Sequence, residues 1–329
     1  MDEGLTAWCR RELGAEPEVV LFRAGYLSEV TGLRLADGRG VVLKARPPAP
    51  RLAGCVAVQG ALAEAGFPCP RPLAGPAPLG RLAATAEEQV SGGDLLAPGP
   101  AAAGWFAALL AELVRLAPDP AAVPTLRPSP AWAAWDHDHP GLWPPPDDLD
   151  GDLDDHPGPS WLDRVAAAVR ARLAGLRLPP VVGHADWESQ NLRWHDGRPL
   201  VVHDWDSAVA QPEPVVAGLA AAVWPATGAP GEAATVEQTD QFLAAYEQAR
   251  GRPWTLAERQ SCCGRPLGPG LQRQEAAHGR RRPRPRPSGR RGPRTRAQGR
   301  ARPVSRFRTP RRTRRRRCRS RRSRGGRAA

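Results

Sequence analysis

Three oxygen-bearing side chains stand at the ends of short apolar runs in the stretch from Val181 to Ser207, VVGHADWESQNLRWHDGRPLVVHDWDS. Val181 and Val182 lead into His184-Ala185-Asp186, Asn191 follows Asp186 by five positions, and Leu200-Val201-Val202 lead into Asp204-Trp205-Asp206. Between them, Asp196-Gly197 is a two-residue hairpin turn. Carboxylates and an amide oxygen at strand ends suit phosphoryl transfer. One carboxylate takes the acceptor's proton, while the amide and a second carboxylate hold a hard cation such as Mg2+. The same residue types also cap ordinary turns, but turn capping does not require these joint offsets.

The pattern HxDxxxxN, then an apolar strand and DxD, resembles the aminoglycoside phosphotransferase and choline kinase group, small-molecule enzymes similar to the protein kinases in fold. The resemblance implies Asp186 as catalytic base and Asn191 and Asp204 as metal ligands. It also implies His184 as the residue that braces the loop and Asp206 as a support of the site. ATP and Mg2+ are the implied cofactors, and the implied partner is a small-molecule hydroxyl acceptor. The implied fold is α+β and two-lobed: an N-terminal antiparallel sheet with a helix, then a mainly helical lobe.

Elements that could position these residues follow from the chain's periodicity. A short helix over 6–13 precedes strands at Glu18–Phe22, Glu29–Leu35 and Gly40–Ala45, with Ala36-Asp37-Gly38-Arg39 as the turn between the last two. The loop Arg23–Ser28, with Gly25 and Ser28, falls where the family covers the nucleotide phosphates, although a single glycine is a weak signal. Lys44, at the end of the third strand, is the only lysine among 47 basic residues. A chain that otherwise uses Arg and keeps one compact ammonium there points to phosphate binding. Residues 51–65 read as a helix ended by Gly66 and Phe67-Pro68. In the family this helix carries a Glu that pairs with the strand lysine; here Cys55 holds the expected position, and Gln59 and Glu64 are weak substitutes, which predicts a less firmly anchored Lys44.

Leu82–Val90 reads as a strand leading into Ser91-Gly92-Gly93-Asp94, which resembles the family's hinge between lobes; the resemblance implies that backbone groups near Glu88 and Val90 receive an adenine. Ala101–Leu116 is an amphipathic helix whose stripe Trp105, Leu109, Leu113, Leu116 predicts a core face. Residues 117–160 are irregular and rich in Asp, Pro and Trp, in the place of the family's acceptor-binding elements. A carboxylate rim there would favour a cationic acceptor, and a solvated loop accounts equally for the same composition. The Asp147–Asp155 run does not fit an EF-hand, and His137 and His139 read as an exposed turn rather than metal ligands. Helices are expected over Trp161–Leu178, Pro214–Trp224 and Val236–Arg250, and another opens at Thr255 with Glu258 completing a capping box.

The 329 residues suffice for two lobes and a large core. We expect domains at 1–90 (nucleotide-binding lobe), 91–260 (catalytic and acceptor-binding lobe) and 261–329 (disordered Arg/Pro/Gly-rich tail). No run of about twenty apolar residues and no signal-peptide pattern at the N-terminus predict a soluble, cytoplasmic protein with no membrane partner. The six cysteines, at 9, 55, 69, 262, 263 and 318, have no metal-ligand spacing and are expected to be reduced.

Charge divides the chain. The segment 261–329 holds 26 of the 47 basic residues and one of the 34 acidic ones, a net of +25; residues 1–260 keep 21 against 33, a net of −12. Taken at face value the tail is a basic arm that could bind nucleic acid, and with Cys55 in place of the helix Glu it gives an alternative reading of the chain as a catalytically weak kinase-like binding module. Its composition also fits a frame slip in a GC-rich gene, which turns the wobble base into a first base and yields Arg, Pro, Gly and Ala. Only nine of the 66 residues from Gly264 lack a codon beginning with G or C. Cys263–Gly270, back-translated and read one base later, becomes AAGLWVR, a continuation of the helix that WTLAERQ opens. Resequencing the gene separates the two readings.

Overall fold

The computed structural model describes residues 2–25, 27–97, 99–135, 137–146, 151–155, 158–228 and 232–261. Tyr26 of the first loop, Asp147–Asp150 of the acidic run and the segment from Cys262 onward, with its basic-arm and frame-slip readings, lie outside them.

Helix α1 (Glu3–Leu13) starts at Asp2, whose carboxylate accepts from Gly4 N, and ends at Gly14 in the left-handed region. Strands β1 (Pro17–Ala24), β2 (Glu29–Leu35) and β3 (Gly40–Arg46) form an antiparallel meander, the last two joined by the expected turn with Gly38 at φ +87°. After helix α2 (Arg51–Glu64) come β4 (Pro72–Leu79) and β5 (Leu82–Glu88), which complete a sheet of order β1-β2-β3-β5-β4. Alternation divides β3 cleanly. Val41, Leu43 and Ala45 pack with Leu33, Leu35 and the Leu5, Trp8 and Cys9 face of α1, so Lys44 projects from the opposite face.

Strand β4 was not expected. PLAGPAPL has three prolines, which remove ladder donors, and it survives as a strand because it lies on the sheet edge.

The remainder is mainly helical: α3 (Pro100–Leu116), α4 (Ser160–Ala174), α5 (Glu213–Val223), α6 (Val236–Ala249) and the short α7 (Leu256–Ser261). The expected capping box at Thr255–Glu258 forms, and Thr235–Gln238 makes a second reciprocal one at the start of α6. The stripe on α3 needs a correction. Leu109 and Leu113 are buried, but Trp105 is 44% exposed beside the Trp194 ring, and Phe106 takes the core position between Trp194 and Trp224.

The irregular segment contributes more to the core than its composition suggests. Leu126, Trp135, Trp143 and Leu153 are buried, and Asp154 and Asp163 accept from the Trp143 backbone and indole N–H groups. The described cysteines, Cys9, Cys55 and Cys69, are free thiols. No described helix is long and apolar enough to cross a membrane.

Candidate active site

Two small antiparallel ribbons carry the motif. β6 (Pro180–His184) pairs with β9 (Ala208–Pro212), and β7 (Leu192–His195) pairs with β8 (Arg198–Val202) across Asp196-Gly197. Both turn residues have positive φ, +49° and +72°, as a type I′ hairpin requires. Asp186 sits just past β6, Asn191 just before β7, and Asp204 just past β8, so the strand ends gather the three side chains.

Asn191 Nδ2 donates to the Asp186 carboxylate at 2.8 Å and to the Asp186 carbonyl at 3.0 Å. The Asn191 carbonyl accepts from His203 N at 2.8 Å, which ties the loop to the residue before Asp204. Asp204 adopts φ +66°, ψ +48°, a left-handed conformation that costs a non-glycine residue about 1 kcal/mol. Ser207 holds it there: Ser207 N donates to the Asp204 carbonyl and Ser207 Oγ to its carboxylate. Strain of this kind, held by surrounding bonds, is common at functional sites.

His184 is fully buried, its Nε2 donating to the His203 carbonyl at 3.1 Å, with its ring edge-on to Trp205. Burial pushes its pKa down to about 4, so the ring is neutral and acts as a brace.

From the sheet, Lys44 Nζ lies 3.7 Å from the Asp204 carboxylate and 3.6 Å from Glu87. Arg46, two residues on, is ion-paired with Asp206, and Arg51 of α2 donates to the Asp206 and Ala208 carbonyls. The expected weakness at Lys44 is therefore corrected. Cys55 points its thiol at the Asp206 carbonyl, and the carboxylate beside the lysine comes from β5 as Glu87, which Gln59 of α2 holds at 2.8 Å.

Charge and burial oppose each other throughout the cluster. Burial would lower the Lys44 pKa, but Glu87, Asp204 and Asp206 together hold it above the usual lysine value. Burial would raise Asp204, and the Lys44 ammonium with further hydrogen bonds outweighs it, leaving this carboxyl below its ordinary range. Asp206 is raised by burial and by Asp204. Asp186 is raised well above the ordinary range, first by burial, then by Glu188 and Asp204. One carboxylate firmly ionised and one with increased proton affinity is the division of roles that general-base chemistry beside a cation uses.

The remaining expected residues lie around this centre. Glu88 is exposed, its side chain 3.8 Å from Arg71 and its N–H donating to the Arg71 carbonyl, and Val90 follows, half-buried. Behind them Asp94 and Trp194 exchange backbone hydrogen bonds at 2.8 and 2.9 Å, which fastens segment 91–94 to β7. Gly25 and Ser28 line a pocket of about 440 Å³ together with Arg23 and Arg46. Lys44, Asp186, Asn191 and Asp204 do not line it. At Gly25 φ is +113°, and a Cβ would meet the Ser28 carbonyl at 1.8 Å, so only glycine closes this loop.

Residues 18–258 match the phosphotransferase enzyme family model, APH. The chain belongs to this family. As a member it is a phosphotransferase.

Solved structures agree on the fold. An amicoumacin kinase in complex with AMP-PNP and Ca2+ aligns with a TM-score of 0.53 at 14% identity, over 79% of this chain and 82% of the other. A type I macrolide 2'-phosphotransferase gives 0.51 at 17%, over 80% and 87%. A spectinomycin phosphotransferase in complex with ADP and spectinomycin gives 0.51 at 11%, over 82% and 85%. No curated protein sequence matches the chain significantly.

The residues of this phosphotransferase that sequence reasoning passed over are Glu87, Arg46 and Arg51. Glu87 had a readable signal. In LAATAEE, Ala84 and Ala86 form the buried face, so Thr85 and Glu87 share the face that carries Lys44 on the neighbouring strand.

Proposed function

We propose that the chain transfers the γ-phosphoryl group of ATP to a hydroxyl of a small molecule in an Mg2+-dependent reaction. The observation that carries this reading is the continuous contact from Asp186 through Asn191 to the loop of Asp204, with Lys44 against Asp204. Asp186 would accept the hydroxyl proton as it attacks, and its raised pKa suits that task. Asn191 spends its amide N–H on Asp186, which leaves its amide oxygen available, with the Asp204 carboxylate, as a hard-oxygen donor set fitted to Mg2+. A cation held there would neutralise charge on the phosphates. Lys44 would neutralise the same phosphates from the sheet side, and the backbone of Glu88–Val90 would receive the base. Gly25 and Ser28 would cover the nucleotide from the β1–β2 loop.

For the acceptor we favour a cationic compound, an aminoglycoside-like antibiotic or an amino alcohol. Support comes from Glu188, close enough to Asp186 to raise its pKa, and from the exposed Asp138, Asp154 and Asp155 in the Asp-rich segment.

The test is Asp186→Asn assayed with Mg-ATP against a panel of cationic antibiotics and amino alcohols. Transfer should fall by about 10²–10⁴-fold, the usual worth of a general base, while nucleotide affinity is retained. Equal turnover by wild type and variant would remove Asp186 from this role.

A further inference from the structure

The Lys44–Glu87–Gln59 cluster reaches beyond the assignments above. Lys44 stands opposite Thr85 in the β3–β5 ladder and Glu87 stands opposite Val42, so the two are diagonal neighbours on one face of the sheet. Glu87 places one carboxylate oxygen 3.6 Å from Nζ; its other oxygen accepts from Gln59 Nε2 at 2.8 Å. The same Gln59 amide donates to the Pro70 carbonyl at 2.9 Å. Glu87 is 6% exposed and Gln59 4%, so neither side chain is free to choose another geometry.

We propose that Glu87 is the positioning residue for Lys44, orienting the ammonium toward the nucleotide phosphates, and that Gln59 fixes Glu87 in turn. This rests on the reading of Lys44 as a phosphate ligand. The physical case lies in how the lysine is held. A flexible four-carbon side chain between Asp204 and Glu87 is drawn by both; without Glu87, it would collapse onto Asp204 and compete with a cation for that carboxylate. Because Lys44 and Glu87 are both on the sheet, their pairing is set by strand register. Helix α2 contributes a neutral amide, so no charge on the helix has to move into place for the pair to form. Glu87 also immediately precedes Glu88–Val90, so an adenine-facing segment and the lysine's anchor share one strand.

A double-mutant cycle on the full chain tests this, with the Mg2+ complex of a non-hydrolysable ATP analogue as titrant and steady-state kinetics alongside. Glu87→Gln should weaken nucleotide binding about tenfold, the equivalent of one charged contact, and should lower kcat. Lys44→Met should weaken binding at least as much, and the double variant should be no worse than Lys44→Met alone, because Glu87 acts through the lysine. Gln59→Leu, which keeps the burial and removes the donor, should shift binding the same way by less, and it decides the matter if Glu87→Gln does not fold. Unchanged nucleotide affinity in a folded variant, or an equal loss from Glu87→Gln in the Lys44→Met background, overturns the inference while the proposed function stands. Absence of nucleotide binding by the wild-type protein would take both down.

Discussion

Asn191 donates to the Asp186 carboxylate at 2.8 Å, so a residue suited to hold a cation also orients the candidate base. Asn191→Asp separates these roles. The variant keeps an oxygen ligand but loses the N–H donor and sets a second carboxylate against Asp186. That like charge should raise the Asp186 proton affinity further and lower kcat by roughly 10²-fold or more. Apparent Mg2+ affinity should change much less. A metal titration of kcat checks this: loss of activity restored in full by excess Mg2+ would assign Asn191 to metal binding alone.

Helix α2 and the motif loop are clasped by Arg51, whose guanidinium donates to the Asp206 and Ala208 carbonyls at 2.5 and 2.6 Å. Charged hydrogen bonds of this kind are worth about 1.5–3 kcal/mol each. Arg51→Ala should therefore lower stability by at least about 2 kcal/mol, a Tm decrease of several degrees at this chain length. Arg51→Lys reaches with one ammonium rather than a planar fork and should recover only part of it. Equal Tm for wild type and Arg51→Ala would show the clasp to be energetically idle.

These contacts also show which parts of the site could be read from sequence. HADWESQN and HDWDS were legible because local offsets place Asp186, Asn191 and Asp204 at strand ends, and Lys44 was legible as the only lysine. The family's pattern places the lysine's partner on α2, at the position of Cys55. Glu87 enters through the β3–β5 register, which joins residues 43 positions apart and is invisible to a local window. β4 was hidden by a different cause, its prolines being tolerable only on an edge, which is a property of the assembled sheet. Trp105 and Phe106 were exchanged because one helical step of 100° decides which of two adjacent aromatics meets the core.

Glu258 gives a pH prediction remote from the site. It is buried and hydrogen-bonded to Arg252 at 2.8 Å and Arg250 at 3.2 Å, and Arg250 also stacks over the Trp254 ring at 3.7 Å. The Arg252 hydrogen bond, opposed by burial and helped by Thr255, holds this carboxyl well below the usual glutamate range. A depressed native pKa means that the unfolded chain binds the proton more readily. The stabilisation is therefore complete above the unfolded value of about 4.3 and is lost as pH falls below it. Glu258→Gln should lower stability at pH 7 by about 2–3 kcal/mol and flatten the dependence of Tm on pH in the acid range. Parallel Tm profiles for the two proteins would contradict this.

Adjacent glycines in segment 91–94 allow strain and crowding to be measured separately. Gly92 and Gly93 both have positive φ, +90° and +77°, so alanine at either pays a backbone cost of about 1–2 kcal/mol. A Cβ at Gly92 meets nothing within 4 Å, whereas one at Gly93 would lie 2.8 Å from Leu200 Cδ2, 2.9 Å from Arg193 Cβ and 3.2 Å from the Trp194 carbonyl. Gly93→Ala should therefore cost a further 1–3 kcal/mol or so through overpacking. The displaced atoms belong to β7 and β8, and Asp94 next door is hydrogen-bonded to Trp194, so segment 91–94 would move with them. Gly93→Ala should consequently raise the KM for ATP as well as lower Tm, while Gly92→Ala lowers Tm modestly and leaves KM nearly unchanged. Urea melts and nucleotide titrations of the two variants read this out, and identical behaviour would mean that the close packing of β7 and β8 against segment 91–94 does not set its geometry.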